Sequence, residues 1–172
     1  MKFFLFFFSV FLIFSNPAKS EQKIVFVDMD RVISTSNAGS SIFKQLKKIN
    51  DKNLNLLKAE ENEFKEKEKK IIAQKNIISE NDFKVKVNEL KSEINIYNKN
   101  RKKFIEEFNK LKIDSTNKLL KQINPILTKF SDDNKIAIIL QKKDLIIGKT
   151  ELDITNEIIK IANNEIKKFN IK

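Results

Sequence analysis

The chain of 172 residues contains no cysteine, histidine or tryptophan, only two glycines and two prolines, and carries a formal net charge of +11. The commonest general base, the thiol nucleophile and most zinc or copper ligands are therefore missing, and two isolated glycines cannot form a phosphate-binding loop, which argues against an enzyme and against a bound cofactor or metal. With 33% charged residues, the composition is typical of long helices rather than of a compact globule.

The first twenty residues have the pattern of a secretory signal peptide. A positively charged start precedes an apolar run over residues 3–14, which is shorter than the ~20 residues that span a bilayer. Small residues follow at Ala18 and Ser20, the spacing that a signal peptidase requires. We therefore expect residues 1–20 to be removed by cleavage near Ser20-Glu21 and the mature chain to be soluble and exported. An uncleaved membrane anchor is the alternative.

The beginning of the mature chain predicts a strand followed by a loop. Residues 24–27, Ile-Val-Phe-Val, are β-branched and aromatic as in a strand. Residues 28–33 fit one helical turn, and the Ser, Asn and Gly cluster of residues 34–41 predicts a loop.

Residues 42–130 predict a long helical hairpin. Apolar residues recur at helical spacing in both halves, and in the second half they form a heptad seam over four repeats. A capping box from Ser79 to Asp82 marks a new helix start near the middle, so we expect the tip of the hairpin at residues 77–82. Pro125 should kink the second helix or restart it.

The C-terminal part predicts two further strands and a helix. Residues 136–140 and 145–147 are apolar, β-branched runs, and Asp153 is expected to cap the last helix. Residues 21–41 and 131–172 would then form a small α/β body. The predicted fold class is α+β and mostly helical, with a small β-rich body and a long projecting antiparallel hairpin. Three short strands and one helix bury little surface, so we expect the body to oligomerise.

This order of elements resembles the Skp/OmpH family of periplasmic chaperones over essentially the whole mature chain. Four pieces carry the resemblance: residues 24–32, the Asn-Ala-Gly-Ser of residues 37–40, Pro125-Ile126, and residues 153–159. The resemblance implies a jellyfish-shaped homotrimer in which strands of three subunits form the body and three hairpins enclose a cavity. It also implies a periplasmic, ATP-independent holdase that binds unfolded outer-membrane proteins and prevents their aggregation before outer-membrane assembly.

Aromatic residues of the hairpin are the candidate client contacts: Phe64, Phe83, Tyr97, Phe104 and Phe108. Phe64 is the strongest of them, because its own neighbourhood is otherwise polar. The heptad spacing of the other four also fits simple packing against the first helix.

Basic residues are concentrated in the hairpin, where residues 42–130 hold 22 Lys and Arg against 13 Asp and Glu, a net charge of +9. This surplus favours acidic clients or an anionic membrane surface. The densest cluster, a candidate site for anionic lipid or lipopolysaccharide and for acidic clients, comprises Lys99, Arg101, Lys102 and Lys103. A solvated helix face is the alternative interpretation of this cluster.

Two rival functions share some of these features. A structural coiled-coil tether of the cell envelope would have the helices and the export signal, but would need neither a β-rich body nor basic arms. A nucleic-acid-binding protein would fit a sequence pI near 9.6. The export signal, the few arginines and the lack of a binding motif argue against specific nucleic-acid binding.

Overall fold

The computed structural model describes residues 22–166 and 169–171, so the predicted signal peptide lies outside the described residues. Two strands and four α-helices occur in this part of the chain: β1 (Lys23–Val27), α1 (Met29–Thr35), α2 (Asn37–Gln74), α3 (Glu80–Asp133), β2 (Ile136–Gln141) and α4 (Thr155–Glu165). Two short 3₁₀ helices, Lys142–Asp144 and Thr150–Leu152, lie between β2 and α4. The predicted fold class, mostly helical with a small sheet, is confirmed. Among the described helices, none combines the length and apolar character that a membrane span requires.

The sheet consists of β1 and β2, which pair in parallel although the two long helices separate them in sequence. One sheet face is buried, with Val25 and Val27 of β1 at 1% and 2% exposure. At its other edge β1 accepts a hydrogen bond from the backbone of Ile154 to the carbonyl of Phe26, at 3.0 Å. The sheet therefore joins the two ends of the chain.

The prediction of a third strand at residues 145–147 is wrong. Leu145 has extended backbone angles, φ −101° and ψ 135°, but the sheet contains only β1 and β2 in the described residues. An extended segment becomes part of a sheet only when a neighbouring strand supplies hydrogen bonds. Here Ile146 and Ile147 stand 99% and 90% exposed instead.

The loop predicted for residues 34–41 is also wrong, because α1 and α2 follow each other almost directly. The hydroxyl of Ser36 accepts a hydrogen bond from the backbone N–H of Gly39 and caps α2. A Cβ added to Gly39 would lie 1.6 Å from the carbonyl oxygen of Ile33. The small residues thus permit a tight junction of two helices rather than a flexible connection.

Both long helices contribute one end to a common core with β1, α1 and α4. We call this set of buried residues the body core: its fully enclosed members include Val32, Leu119, Ile123 and Ile158. Burial of such aliphatic side chains supplies about 1.5–3 kcal/mol each. The body core fixes the point from which the rest of α2 and α3 extends.

We call α2 and α3 together the arm. At 38 and 54 residues they are about 57 and 81 Å long at 1.5 Å per residue. The chain reverses at residues 75–79, which overlaps the predicted tip. The predicted cap is confirmed, since the hydroxyl of Ser79 accepts a hydrogen bond from the backbone N–H of Asp82. The division of the chain into body and arm domains at residues 41/42 and 130/131 stays a prediction.

Of the two alternatives predicted at Pro125, a kink or a restart, the restart is wrong, because α3 continues through this residue without interruption. Pro125 removes one backbone donor from the helix. Its neighbours Ile123 and Ile126 are 0% and 4% exposed in the body core. We attribute the continuity of the helix to this packing, which outweighs the local cost of proline.

Candidate functional site on the helical arm

Cross-helix contacts fix the two helices of the arm in one antiparallel register. The ammonium of Lys67 pairs with the carboxylate of Glu93 at 2.5 Å, and the ammonium of Lys86 donates to the amide oxygen of Gln74 at 2.6 Å. Both contacts are polar, as expected from the polar stretch that follows residue 58. Outside the body core, the helices are thus joined by a mixture of polar pairs and separated apolar groups.

Tyr97 is the best-buried aromatic residue of the arm, at 6% exposure. Its hydroxyl donates to the Glu61 carboxylate at 2.5 Å, and this hydrogen bond, with burial, raises the pKa of Tyr97 above its ordinary value. The ring of Phe64 meets that of Tyr97 edge to face, with centroids 5.5 Å apart and an interplanar angle of 78°. Phe64 is therefore half-buried and held by a neighbour, rather than isolated on a polar surface.

The five predicted aromatic contacts lie in three places along the arm. Phe64 and Tyr97 form one pair, while Phe104 and Phe108 form a second, stacked pair with centroids 5.7 Å apart. Phe83 lies nearer the tip, where it is half-buried. The structure therefore presents the partly exposed aromatic rings at intervals, and Tyr97 itself offers little surface to a partner.

A groove between α2 and α3 was missed by the sequence reasoning. It has a volume of about 290 Å³ and lies between the Phe64–Tyr97 pair and the tip. We call it the tip groove, and its apolar walls are formed by Phe64, Ile71, Phe83, Val87, Leu90 and Ile94. The signal for it is in the sequence: the heptad seam of α3 is continuous here, whereas α2 has only Ala59 and Phe64 as apolar residues between positions 58 and 70.

The four predicted basic residues all lie exposed on α3. Lys102 and Lys103 are 4.0 and 3.8 Å from Glu106 and Glu107, one helical turn further along. Exposed pairs of this kind contribute at most about 1 kcal/mol. Lys99 and Arg101 have no ion-pair partner within 4.0 Å among the described residues. The cluster is accessible from solvent, and its half without ion pairs is the part most available to an anion.

The outer face of the sheet is apolar and, apart from the buried Phe26, open to solvent in the single chain. Ile24 pairs in register with Ile138, and these two residues are 44% and 47% exposed, with Leu140 at 39%. The unpaired Ile146 and Ile147 add further exposed apolar surface. Apolar surface gathered in one place is typical of an interaction site.

A polar cluster holds the chain where the C-terminal segment meets β1. The carboxylate of Asp153 accepts hydrogen bonds from the Thr155 hydroxyl and backbone N–H and from the Lys142 ammonium at 2.8 Å. Burial alone raises the pKa of Asp153, but these hydrogen bonds outweigh it and leave the pKa below its ordinary value. The helix α4 starts one residue later than predicted, with Ile154 at the cap position and Asp153 just before it.

Comparison with known proteins identifies the family. A sequence model of the family described as outer membrane protein (OmpH-like) matches residues 23–161, whereas no match was found among curated protein sequences. The fold is similar to that of a candidate outer membrane chaperone (OmpH-like) from Caulobacter crescentus, with a TM-score of 0.80 and 15% identity over 87% of this chain and 88% of that chain. Since the family match spans most of its length, the chain belongs to the OmpH-like family.

Proposed function

We propose that this protein is an ATP-independent holdase of the periplasm. It binds unfolded outer-membrane proteins and prevents their aggregation until they reach the outer membrane. The observation that carries the proposal is the arm, a long helical surface on which partly exposed aromatic rings recur. Membership of the OmpH-like family supports it.

The proposed apolar contacts with a client are distributed along the arm rather than gathered in one pocket. Phe104 and Phe108 are half-buried, so each leaves part of its ring available to a client. Each partial contact removes only a fraction of an aromatic side chain from water, which keeps the free energy of a single contact low. Many weak contacts suit clients of different sequence and allow their later release.

Charge supplies the attraction at longer range. Residues 42–130 carry a net charge of +9, so three arms would carry about +27 and would attract acidic unfolded chains. The same charge, with Lys99 and Arg101 at its densest part, would allow a peripheral contact with anionic lipid or lipopolysaccharide. At physiological ionic strength the screening length is about 8 Å, so both attractions should weaken as salt is added.

The exposed face of the sheet is the proposed oligomer interface. Ile24, Ile138 and Leu140 would be covered by equivalent residues of further copies, and the extended segment with Ile146 would find a strand partner there. A homotrimer assembled in this way would place three arms on one side of a shared body and enclose a cavity. Assembly would remove the exposed side chains of Ile24, Ile138 and Leu140 from water, which supports the proposed interface.

The test is aggregation of a urea-unfolded outer-membrane barrel protein diluted into buffer with and without the purified exported chain. Light scattering should fall as the chain is added, without ATP, and the protection should weaken with added salt. Protection that does not depend on salt would contradict the electrostatic part of the proposal. No protection at any salt concentration would contradict the holdase and leave the coiled-coil tether as the better explanation.

A further inference from the structure

The tip groove exists because one helix lacks the apolar residues that its partner offers. On α3, Val87, Leu90 and Ile94 face α2 at consecutive seam positions. On α2, the residues between Phe64 and Ile71 that line the tip groove are the charged Lys65 and Glu68. Both side chains are exposed. A charged group stays in water rather than among apolar side chains, so the space opposite the α3 residues is not filled from within the chain.

The walls of the tip groove are fixed before any partner arrives. At one end Phe64 is held by its edge-to-face contact with Tyr97, which is itself bonded to Glu61. At the other end Lys86 is bonded to Gln74 across the two helices. A site whose walls are already ordered binds with a smaller loss of conformational entropy than one that must assemble on binding.

The dimensions of the tip groove suit one large apolar side chain. A cavity of about 150 Å³ lined by aliphatic and aromatic side chains takes up benzene, and the tip groove has about 290 Å³. An aromatic ring or a leucine side chain therefore fits, with room for part of the attached backbone. The lining is apolar, so a polar side chain would lose its hydration without gaining a partner.

The rim of the tip groove favours negative charge beside that side chain. Lys65 and Lys91 stand at the rim against a single acid, Glu68. On the neighbouring side of the arm, Lys67, Lys70 and Lys86 stand against Glu89 and Glu93. Each side thus has a surplus of one positive charge.

We propose that the tip groove binds one aromatic or leucine side chain of an extended, unfolded client segment, at a place where that side chain is next to an acidic residue. The apolar side chain of the client binds in the tip groove, and the ammonium of Lys91 at the rim pairs with the carboxylate of the neighbouring client residue. This inference rests on the proposed holdase function, which it sharpens by naming a site and a sequence preference. The preference is for apolar residues with acidic neighbours rather than for apolar residues alone.

Fluorescence anisotropy with the whole exported chain and short labelled Gly/Ser peptides tests this inference. One peptide carries a Phe flanked by two Asp residues; the others replace the Phe by Ala, or both Asp residues by Lys. Loss of the Phe should weaken binding by about tenfold or more, because burial of such a side chain is worth at least that factor. Replacement of Asp by Lys should weaken it severalfold, and more at low salt than at physiological salt.

Two matched pairs of variants locate the binding. L90S should weaken binding about tenfold, whereas I96S, which changes a 57% exposed residue of the same helix, should leave it unchanged. K91E should weaken binding severalfold, whereas K110E makes the same change of net charge about 28 Å further along α3 and should have little effect. If L90S lowers the helix content of the arm, the comparison of K91E with K110E and the peptide series decide the question.

The results that would overturn the tip-groove proposal differ from the result that would contradict the holdase. Equal losses in K91E and K110E, or unchanged binding in L90S, would overturn the tip groove as the site. If the chain without peptide self-associates, and both L90S and K91E abolish this self-association, then the tip groove binds another copy of the chain. That result would overturn the proposed occupant. If the wild-type chain protects an unfolded barrel but binds none of the peptides, the tip-groove proposal fails and the holdase stands.

Discussion

The substitution of Gly39 by alanine tests the junction between α1 and α2. An added Cβ would lie 1.6 Å from the carbonyl oxygen of Ile33, whereas ordinary contact begins at 3.4 Å. The two helices would therefore have to separate by roughly 1.8 Å, the difference between these distances. Because the atom in the way is backbone, no side-chain rotation can relieve the clash.

Two effects of opposite sign decide the magnitude for Gly39→Ala. In an open helix the change would stabilise the protein by about 1 kcal/mol, since alanine is the better helix former. Here Val32 and Ile42, 0% and 2% exposed, pack on either side of the junction, so separation of the helices also disturbs the body core. Overpacking of a core typically costs 1–3 kcal/mol or more. Since the clash is with backbone, we expect the cost to lie near the upper end of this range, about 3 kcal/mol, and the net loss in the free energy of unfolding to be about 2 kcal/mol.

The assay is a urea titration followed by far-UV circular dichroism, with wild type and variant at the same protomer concentration. Ser40→Ala, at the next position of the same helix turn, is the control and should change the free energy of unfolding by no more than about 0.5 kcal/mol. A Gly39→Ala variant as stable as wild type, or more stable, would refute the close junction. The Ser-Gly cluster would then be no more than a helix start.

Three further variants test the body and the arm. Asp153→Asn should destabilise the fold by about 1.5–3 kcal/mol at neutral pH, because the oxygen that accepts from Lys142 becomes an amide N–H₂ group and the hydrogen bonds from Thr155 then go to an uncharged oxygen. The variant should also lose stability less steeply in acid than the wild type. Folding lowers the pKa of Asp153, so its carboxylate stabilises the fold at pH values above its ordinary pKa of 3.8. This contribution is lost in the wild type as the pH falls through the folded-state pKa. Ile138→Asp should dissociate the oligomer without loss of helix content, because Ile138 is 47% exposed in the single chain and a charge would be buried only on assembly. Tyr97→Phe should lower stability by about 1 kcal/mol and speed hydrogen exchange in the middle of the arm.

The outcomes that contradict these predictions are distinct. The free energy of unfolding of Asp153→Asn would be measured by chemical denaturation at several pH values. If it fell in acid as steeply as that of the wild type, the role of Asp153 would be contradicted. Sedimentation velocity would contradict the proposed interface if Ile138→Asp stayed trimeric, or if the control Ile96→Asp on the arm dissociated as well. Unchanged exchange rates in Tyr97→Phe would mean that the hydroxyl contributes nothing to the arm.

The arm was predictable because its signals are local and repeated. The heptad seam of α3 extends over several turns, and the capping box at Ser79 depends on only four consecutive residues. The small residues around Gly39 were misinterpreted as a loop, because propensity alone cannot tell a flexible connection from a close helix contact. Residues 145–147 have the composition of a strand, but a strand also needs a neighbour, which a single chain does not supply here.

The candidate site was predictable in its residue types but not in its geometry. The aromatic residues of the arm stand out in the sequence, yet the contact between Phe64 and Tyr97 depends on the register of two helices. The tip groove depends on the same register, since it arises where Lys65 and Glu68 of α2 lie beside the apolar seam of α3. A property that requires both helices at once cannot be derived from the periodicity of either one.

Native mass spectrometry of residues 21–172, the chain that the predicted cleavage would leave, tests the central claim most directly, alone and after a urea-unfolded outer-membrane barrel protein is diluted into it. The holdase account predicts three copies of the chain alone and a complex of three copies with one barrel chain. A monomer or dimer that forms no complex with the unfolded barrel would contradict it.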